Sequence, residues 1–245
     1  MKLAVLSDIH GNVRALDAVL ADIDRRGVDD IVNLGDCTYG PFDPMPAMKR
    51  LFDRNILSVS GNEDRALVEA ARGTTASGMA SFCIARFRDE QIAWLARCSR
   101  TLEWDDILAF HGTPEDDATY LLTAGDRNGI RERDLSEVRY LLGGRTARLA
   151  LCGHDHTPRH VRLANARHIV NPGSVGCPAY LDDVPVPHAI ENGTPHARYA
   201  LIDRGGSSID VNLVTVTYDW SAAAREALDN GFPDWAHWLA TGRVS

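Results

Sequence analysis

The sequence has no excess of positive charge: 26 lysines and arginines stand against 34 aspartates and glutamates, a formal net charge of -8. That balance argues against a protein that grips nucleic acid or a membrane through its whole exterior, although a local cationic centre could still attract a phosphate. It has no C-x-x-C pair either. Cys37, Cys83, Cys98, Cys152 and Cys177 are odd in number and scattered, which fits reduced thiols better than a disulfide framework or a zinc ribbon. All five read as small buried apolar side chains. No apolar run reaches the length of a membrane span. The amino terminus enters a strand directly, without the basic segment and apolar stretch of a secretory leader, so the expectation is a cytoplasmic protein. There is no internal repeat and no low-complexity run.

What remains is a chain of 245 residues, 44% hydrophobic and 24% charged, enough to bury a sizeable α/β core as a single domain over residues 1–245. Its organising stretch is the start, K-L-A-V-L-S-D-I-H-G-N. The apolar residues 3–6 read as a buried strand, and an open α/β sheet places ligands at the carboxyl ends of its strands. Asp8 and His10 are two residues apart there, so both side chains can lean into one crevice, as two ligands of one metal would. Alone, D-x-H is weak. Helix capping by Asp8 and Asn12, with His10 satisfied by backbone, is the better explanation of that motif by itself.

Further along, a helix is expected over 13–26, ended by Gly27, then a strand over 30–34, which completes a βαβ unit and delivers Gly35-Asp36 to the same edge. A helix through 48–53 and a strand over 56–60 lead to Gly61-Asn62-Glu63-Asp64. Residues 65–100 read as helical, including 89–98, either as a small cap over the sheet edge or as ordinary crossover helices. Strands follow at 101–104 and 107–110, the latter running into His111-Gly112, and a helix at 135–142 precedes a strand at 148–152 that ends in Gly153-His154-Asp155-His156. Shorter strands are expected at 159–163 and 168–170. Residues 178–195, rich in proline and acids, read as an irregular surface loop. An antiparallel pair at 199–203 and 208–217 and a terminal helix over 221–239, interrupted at Gly231-Phe232-Pro233, close the chain.

Collected by strand end, the polar residues are Asp8 and His10, Asp36, Asn62, His111, His154 and His156. Seven nitrogen and oxygen donors are too many for one tetrahedral zinc but suit two ions sharing a carboxylate. Such a pair lowers the pKa of bound water and clamps the attacking and leaving oxygens of an in-line displacement at phosphorus.

D-x-H, G-D, G-N, an isolated H-G and G-H-x-H, in this order, make the chain resemble the calcineurin-like metallophosphoesterase superfamily. The resemblance spans Asp8 to about Gly176. It is closest to small bacterial members, which carry N-P-G-S-V-G after the last histidine motif and Y-G-P after G-D, here Tyr39-Gly40-Pro41. It implies an α/β (α+β) fold, a four-layer β-sandwich of two mixed sheets flanked by helices. It also implies a dinuclear phosphodiesterase or phosphatase in which a metal-bridging hydroxide attacks phosphorus. Asp8, His10 and His156 would hold the first metal, Asn62, His111 and His154 the second, with Asp36 bridging and Asn62 and His111 near the phosphoryl oxygens. The cofactors would be two divalent or trivalent ions, Mn, Fe or Zn, which these ligand types do not tell apart.

One departure matters. Many members have His after G-N, placed to protonate the leaving oxygen, and an acid after it; here Glu63 and Asp64 stand in those places. Glu63 can donate a proton if burial and a neighbouring carboxylate raise its pKa; as a solvated helix-capping residue it would have no chemical role. Asn12 and Tyr39 are candidate phosphate contacts, with capping and packing as their structural alternatives. Arg65 reads as a surface ion pair, and His160, His168, His188, His196 and His237 match no ligand position. The turn 171–176 is expected to shape the loop behind His154 and His156.

The expected partner is a phosphate-ester substrate: a diester, monoester, phosphoprotein or dinucleoside polyphosphate. No membrane and no general nucleic-acid partner is expected. A homo-oligomer has no support beyond Trp235 and Trp238, which read equally as contact surface or core. Two other classes compete: a non-catalytic scaffold, as in family members that have lost ligands, and a nucleotide-binding protein without turnover.

Overall fold

The computed structural model describes residues 1–245 apart from 165, 206 and 207. In chain order the elements begin with β1 (Lys2–Leu6), α1 (Val13–Arg26), β2 (Asp30–Asn33), α2 (Pro44–Asp53), β3 (Leu57–Ser58), α3 (Asn62–Ala71), α4 (Gly78–Ile84) and α5 (Asp89–Leu95). The middle of the chain supplies β4 (Thr101–Trp104), β5 (Ile107–Phe110), β6 (Thr123–Asp126), β7 (Gly129–Glu132), α6 (Leu135–Leu141), β8 (Leu149–Leu151), β9 (Arg159–Arg162) and β10 (His168–Asn171). It ends with β11 (Ala179–Asp182), β12 (His188–Glu191), β13 (Ala197–Asp203), β14 (Asp210–Val216), α7 (Trp220–Asp229) and α8 (Pro233–Thr241).

Two mixed five-stranded sheets pack face to face, one in the order β14-β13-β1-β2-β3 and the other β4-β5-β8-β10-β9. The unbroken apolar run of β1 follows from burial on both faces. Leu3 and Val5 meet Ile107, Ala109, Leu149 and Leu151 between the sheets, while Ala4 and Leu6 face the helix layer with Leu16 and Val19 of α1. β5 alternates the same way: Ile107 and Ala109 point inward, and Leu108 and Phe110 pack outward near Val138 of α6. The four layers are thus helix, sheet, sheet, helix, the β-sandwich that the motif order implied.

Asn12 caps α1 by accepting from the Ala15 amide (3.1 Å), and Gly27 closes it in the left-handed region at φ 63°. β1, β2 and β3 run parallel, as do β5, β8 and β10. Their carboxyl ends therefore deliver the motif residues to one end of each sheet.

Three expectations change. The strand expected at 56–60 shrinks to Leu57–Ser58, with one further bridge between Val59 and Ser99. Residues 178–195 form the hairpin β11–β12, which also carries residues of the site, instead of an irregular loop. Pro185 and Pro187 lie in its connection, where no ladder donor is needed. β6–β7 is a second hairpin that the sequence reading did not find; Asp126 and Gly129 flank its turn.

Candidate metal centre

Asp8 and His10 leave β1 in left-handed backbone, φ 55° and 50°. Their amides donate to the carbonyls of Gly35 and Asp36, both at 3.0 Å, so the segments after β1 and β2 stay zipped together beyond the sheet. Ile9 between them is buried in the core, which leaves Asp8 and His10 on the opposite side. Asp36, His154 and His156 also sit at positive φ. Left-handed backbone costs a non-glycine residue about 1–2 kcal/mol, and such strain concentrates at functional sites.

The glycines of the motifs serve close approach. A Cβ on Gly61 would collide with the Asp36 carboxylate, and one on Gly153 with Ser7 Oγ while coming within 3.0 Å of Asp8 Oδ2. Asp36 Oδ1 accepts from the Glu63 amide (3.0 Å) at the start of α3, where the helix dipole favours a carboxylate.

Each histidine is oriented by a backbone carbonyl. Nδ1 of His10 donates to Tyr39 O (2.7 Å), Nδ1 of His111 to Leu34 O (2.7 Å), and Nδ1 of His156 to Cys177 O (2.8 Å). A carbonyl only accepts, so these three rings turn Nε2 inward. His154 is reversed: Nε2 donates to Ala118 O (2.9 Å), which presents Nδ1.

The inward atoms crowd together. His10 Nε2 and His156 Nε2 are 3.2 Å apart, and Asp8 Oδ1 is 3.2 Å from His156 Nε2. His111 Nε2 lies 3.2 Å from Asp36 Oδ2 and 3.0 Å from Asn62 Oδ1. Asp8 Oδ1 is buried with no hydrogen-bond partner. Ligand atoms of Asp8, His10 and Asp36 fall within 4.8 Å of one another, as do those of Asp36, His111 and His154. Asp36 belongs to both groups. A third such group adds Cys177 to His10 and His156; burial and the nearby Glu63 and Asp8 charges push its thiol pKa well up. Two nitrogens bound to one ion at about 2.0–2.1 Å stand about 3.0–3.4 Å apart, so the His10–His156 spacing fits a shared cation.

The charges are strongly coupled. Burial opposes protonation of His10, but Glu63, Asp36 and Asp8 outweigh it and raise its pKa to about 9. His111 goes up to about 10, with Asp36 and then Asp8 prevailing over burial. Burial would lift Asp8, yet His156, His111 and His10 hold it well below the usual carboxylate range. Burial and the charge of His111 take His154 down to about 4. Burial and then Asp36 push Glu63 up to about 7, against the pull of His10, whose Nδ1 is 3.2 Å from Glu63 Oε2.

The other candidates separate. Asn12 is fully used: besides capping α1 it donates to Gly176 O and Tyr218 Oη, both at 3.2 Å, and it does not line the cavity above the cluster. Asp64 is buried and accepts from the amides of Cys37 (2.9 Å) and Gly61 (3.1 Å), tying the Asp36 and Asn62 segments together; burial and Asp36 raise its pKa to about 6. Tyr39 and Glu63 do line that cavity, which measures about 300 Å³ and has His10, Asp36, Asn62, His154 and His156 as its floor. Asn171 donates to Gly153 O (2.9 Å) and Asp155 Oδ1 (2.7 Å), and Ser174 Oγ to Asp8 O (2.8 Å), so the turn 171–176 braces the ligand loops.

Sequence reasoning missed the cavity walls and the partner, though not the existence, of the Arg65 ion pair. Tyr180, Trp235 and Trp238 form cavity walls, and only the i,i+3 spacing of the tryptophans hinted at a shared face. Arg65 makes a bidentate pair with Asp117 (2.8 and 2.9 Å), linking α3 to the loop whose Ala118 carbonyl holds His154.

A sequence model of the calcineurin-like phosphoesterase superfamily domain matches residues 1–186. The uncharacterized protein MJ0912 of Methanocaldococcus jannaschii is 26% identical over 247 residues, covering 95% of this chain and 94% of that protein. The crystal structure of a metallophosphoesterase from Sphaerobacter thermophilus superposes with a TM-score of 0.77 at 24% identity, covering 99% of this chain and all of that one. The family is metal-dependent and hydrolytic, and this chain belongs to the calcineurin-like phosphoesterase superfamily.

Proposed function

We propose that this chain is a dinuclear metal-dependent phosphoesterase acting on phosphodiesters or phosphomonoesters. Asp8, His10 and His156 would hold one ion and Asn62, His111 and His154 the other, with Asp36 shared. Bound there, the ions would supply an activated water and neutralise charge developing at phosphorus.

The observation that carries the reading is the pair of inward Nε2 atoms at 3.2 Å beside the unpartnered, buried Asp8 Oδ1. With both Nδ1 atoms committed to carbonyls, the two Nε2 atoms share either a proton on His10, whose pKa Glu63, Asp36 and Asp8 raise against burial to about 9, or a metal cation. A cation would engage Asp8 Oδ1 as well. The donor set, imidazole with carboxylate and amide oxygen, suits Mn, Fe or Zn. A scaffold that held no metal would gain nothing from five left-handed residues and a buried unpaired carboxylate oxygen.

The chain's own groups orient the substrate and handle a proton. Asn62 at the amino end of α3 and His154 at the cavity floor face the space where a phosphoryl group would sit. His111, expected beside Asn62 there, is buried and does not line the cavity. Glu63 lines the same space and is part-exposed, 27% at the side chain, with a pKa near neutral; it supplies the proton to the leaving oxygen. Asp64 positions and does not react. The experiment is release of product from an aryl phosphodiester with added Mn²⁺, native protein against Asp36→Asn. A loss above about a hundred-fold is expected; equal rates would refute the reading.

A further inference from the structure

Two large aromatic side chains stand half-buried over a polar floor, which is a costly place for them without a ligand. Trp235 and Trp238 lie one turn apart on α8, their rings 5.7 Å apart and tilted 45°, and the Trp235 ring approaches His10 edge-on at 5.5 Å. Tyr180 faces them from β11, its ring 4.5 Å from that of His156, and Tyr39 forms another wall.

The tyrosine hydroxyls and the Asp182 carboxylate of this wall are already engaged. Tyr39 Oη pairs with Ser77 Oγ (2.9 Å), and Tyr180 Oη donates to His154 O (3.1 Å). Asp182 accepts from Tyr120 Oη (2.8 Å) and from the Val184 amide (3.1 Å). What the tyrosines offer a ligand is ring face, which recognises a planar ring and is tolerant of its edge. Charge narrows the class further. Among the described residues that line the cavity none is Lys or Arg, whereas Asp36, Glu63 and Asp182 are acidic. A second or third phosphate beyond the floor would meet carboxylates without a partner. A volume of about 300 Å³ lies at the bottom of the range for small-molecule sites, enough for one ring system and one phosphate.

We propose that the substrate is a single-phosphate ester whose organic group is an uncharged planar ring, an aryl or a nucleobase, stacked on the Trp235 and Trp238 wall. This rests on the phosphoesterase reading above and excludes polyphosphate-linked dinucleotides.

The test is binding, read by titration calorimetry on the Mn²⁺-loaded full chain with non-hydrolysable phosphonates, so that leaving-group chemistry does not enter. Phenylphosphonate should bind about ten-fold tighter than methylphosphonate, a ratio of the size base stacking supplies. Trp235→Ala and Trp238→Ala should each bring the ratio toward one, while Trp235→Phe keeps most of it; the methylphosphonate affinity in each variant reports on the floor. Equal affinities in the native protein, or an undiminished ratio in both alanine variants, would overturn the proposal. 5′-Deoxyadenosine 5′-methylenephosphonate separates the sources: tighter binding than phenylphosphonate assigns a nucleobase, weaker binding a simple aryl group. A diadenosine tetraphosphate analogue with methylene groups in place of the P–O–P bridging oxygens should bind no better than the single phosphonate, and ten-fold tighter binding would overturn the single-phosphate part. If the native protein turned over no phosphoester at all, the phosphoesterase reading would fail while the phosphonate ratio still decided this one.

Discussion

The Nε2 atoms of His10 and His156 stand 3.2 Å apart although each ring gives its Nδ1 proton to a backbone carbonyl. Each ring is therefore held by a different part of the chain, His10 by Tyr39 and His156 by Cys177, and the two Nε2 atoms meet because both loops are fixed. Chelation should cost stability. A metal bound only by the folded state stabilises it by about 4 kcal/mol at a thousand-fold excess over Kd. Removing metal should then lower Tm by roughly 10 °C, restored by Mn²⁺ or Zn²⁺, as differential scanning calorimetry would read; an unchanged Tm would contradict a metal in this place.

Gly61 lies against the carboxylate of Asp36. Gly61→Ala should displace Asp36, costing more than about a hundred-fold in turnover and much of the bound metal, with the far-ultraviolet circular dichroism retained. Full activity in that variant would show that Asp36 needs no such support.

The Arg65–Asp117 pair braces the loop that carries Ala118. Asp117 is nearly buried at 7% side-chain exposure, whereas Arg65 is 42% exposed, so the pair is partly screened by solvent. Asp117→Asn should cost about 1–2 kcal/mol of stability and lower kcat through looser placement of His154, with KM less affected. Unchanged kcat at reduced stability would assign the pair to the fold alone.

In the proposed reaction Glu63 protonates the leaving oxygen. Its folded pKa of about 7 means the acid form is present below that pH, and cations bound beside it pull the value down. Turnover of esters with poor leaving groups should fall as pH rises through a limb at or below about 7. Glu63→Gln should remove that limb and slow poor leaving groups about ten- to hundred-fold more than good ones. A rate independent of leaving-group pKa in the native protein would refute the role.

Asp22 offers a pH test away from the site. It accepts from Tyr199 Oη (2.7 Å), Arg26 Nε (2.7 Å) and Arg25 Nη2 (2.9 Å). Burial would raise its pKa, but these donors bring it below the ordinary value. A depressed carboxylate pKa contributes stability above the unfolded value, near 3.9, and loses it as pH falls through the folded one. Asp22→Asn should lower Tm by about 2–4 °C at neutral pH, corresponding to about 1 kcal/mol. The gap should close in acid; a gap constant with pH would contradict the assignment.

Much of the fold was legible because short-range rules suffice. Asn12 and Gly27 bound α1, and the run from Leu3 to Leu6 is apolar because both its faces are covered. Most candidate ligands were legible because their motifs follow strand ends; Asn62 instead opens α3, with residues 59–61 between it and β3. The hairpin β11–β12 was not: its four-residue strands flank a proline-rich connection, and they are held by long-range pairing such as Tyr120 with Asp182. Arg65 and Asp117 lie 52 residues apart with no pattern linking them, and Trp235 becomes a wall residue only when α8 packs beside β11.

If two ions sit in two overlapping groups joined by Asp36, elemental analysis should find about two transition-metal ions per native chain, about one in His10→Ala and about one in His111→Ala, with Asp36→Asn depleting both sites. Native protein without metal, or metal content unchanged in both histidine variants, would contradict that arrangement.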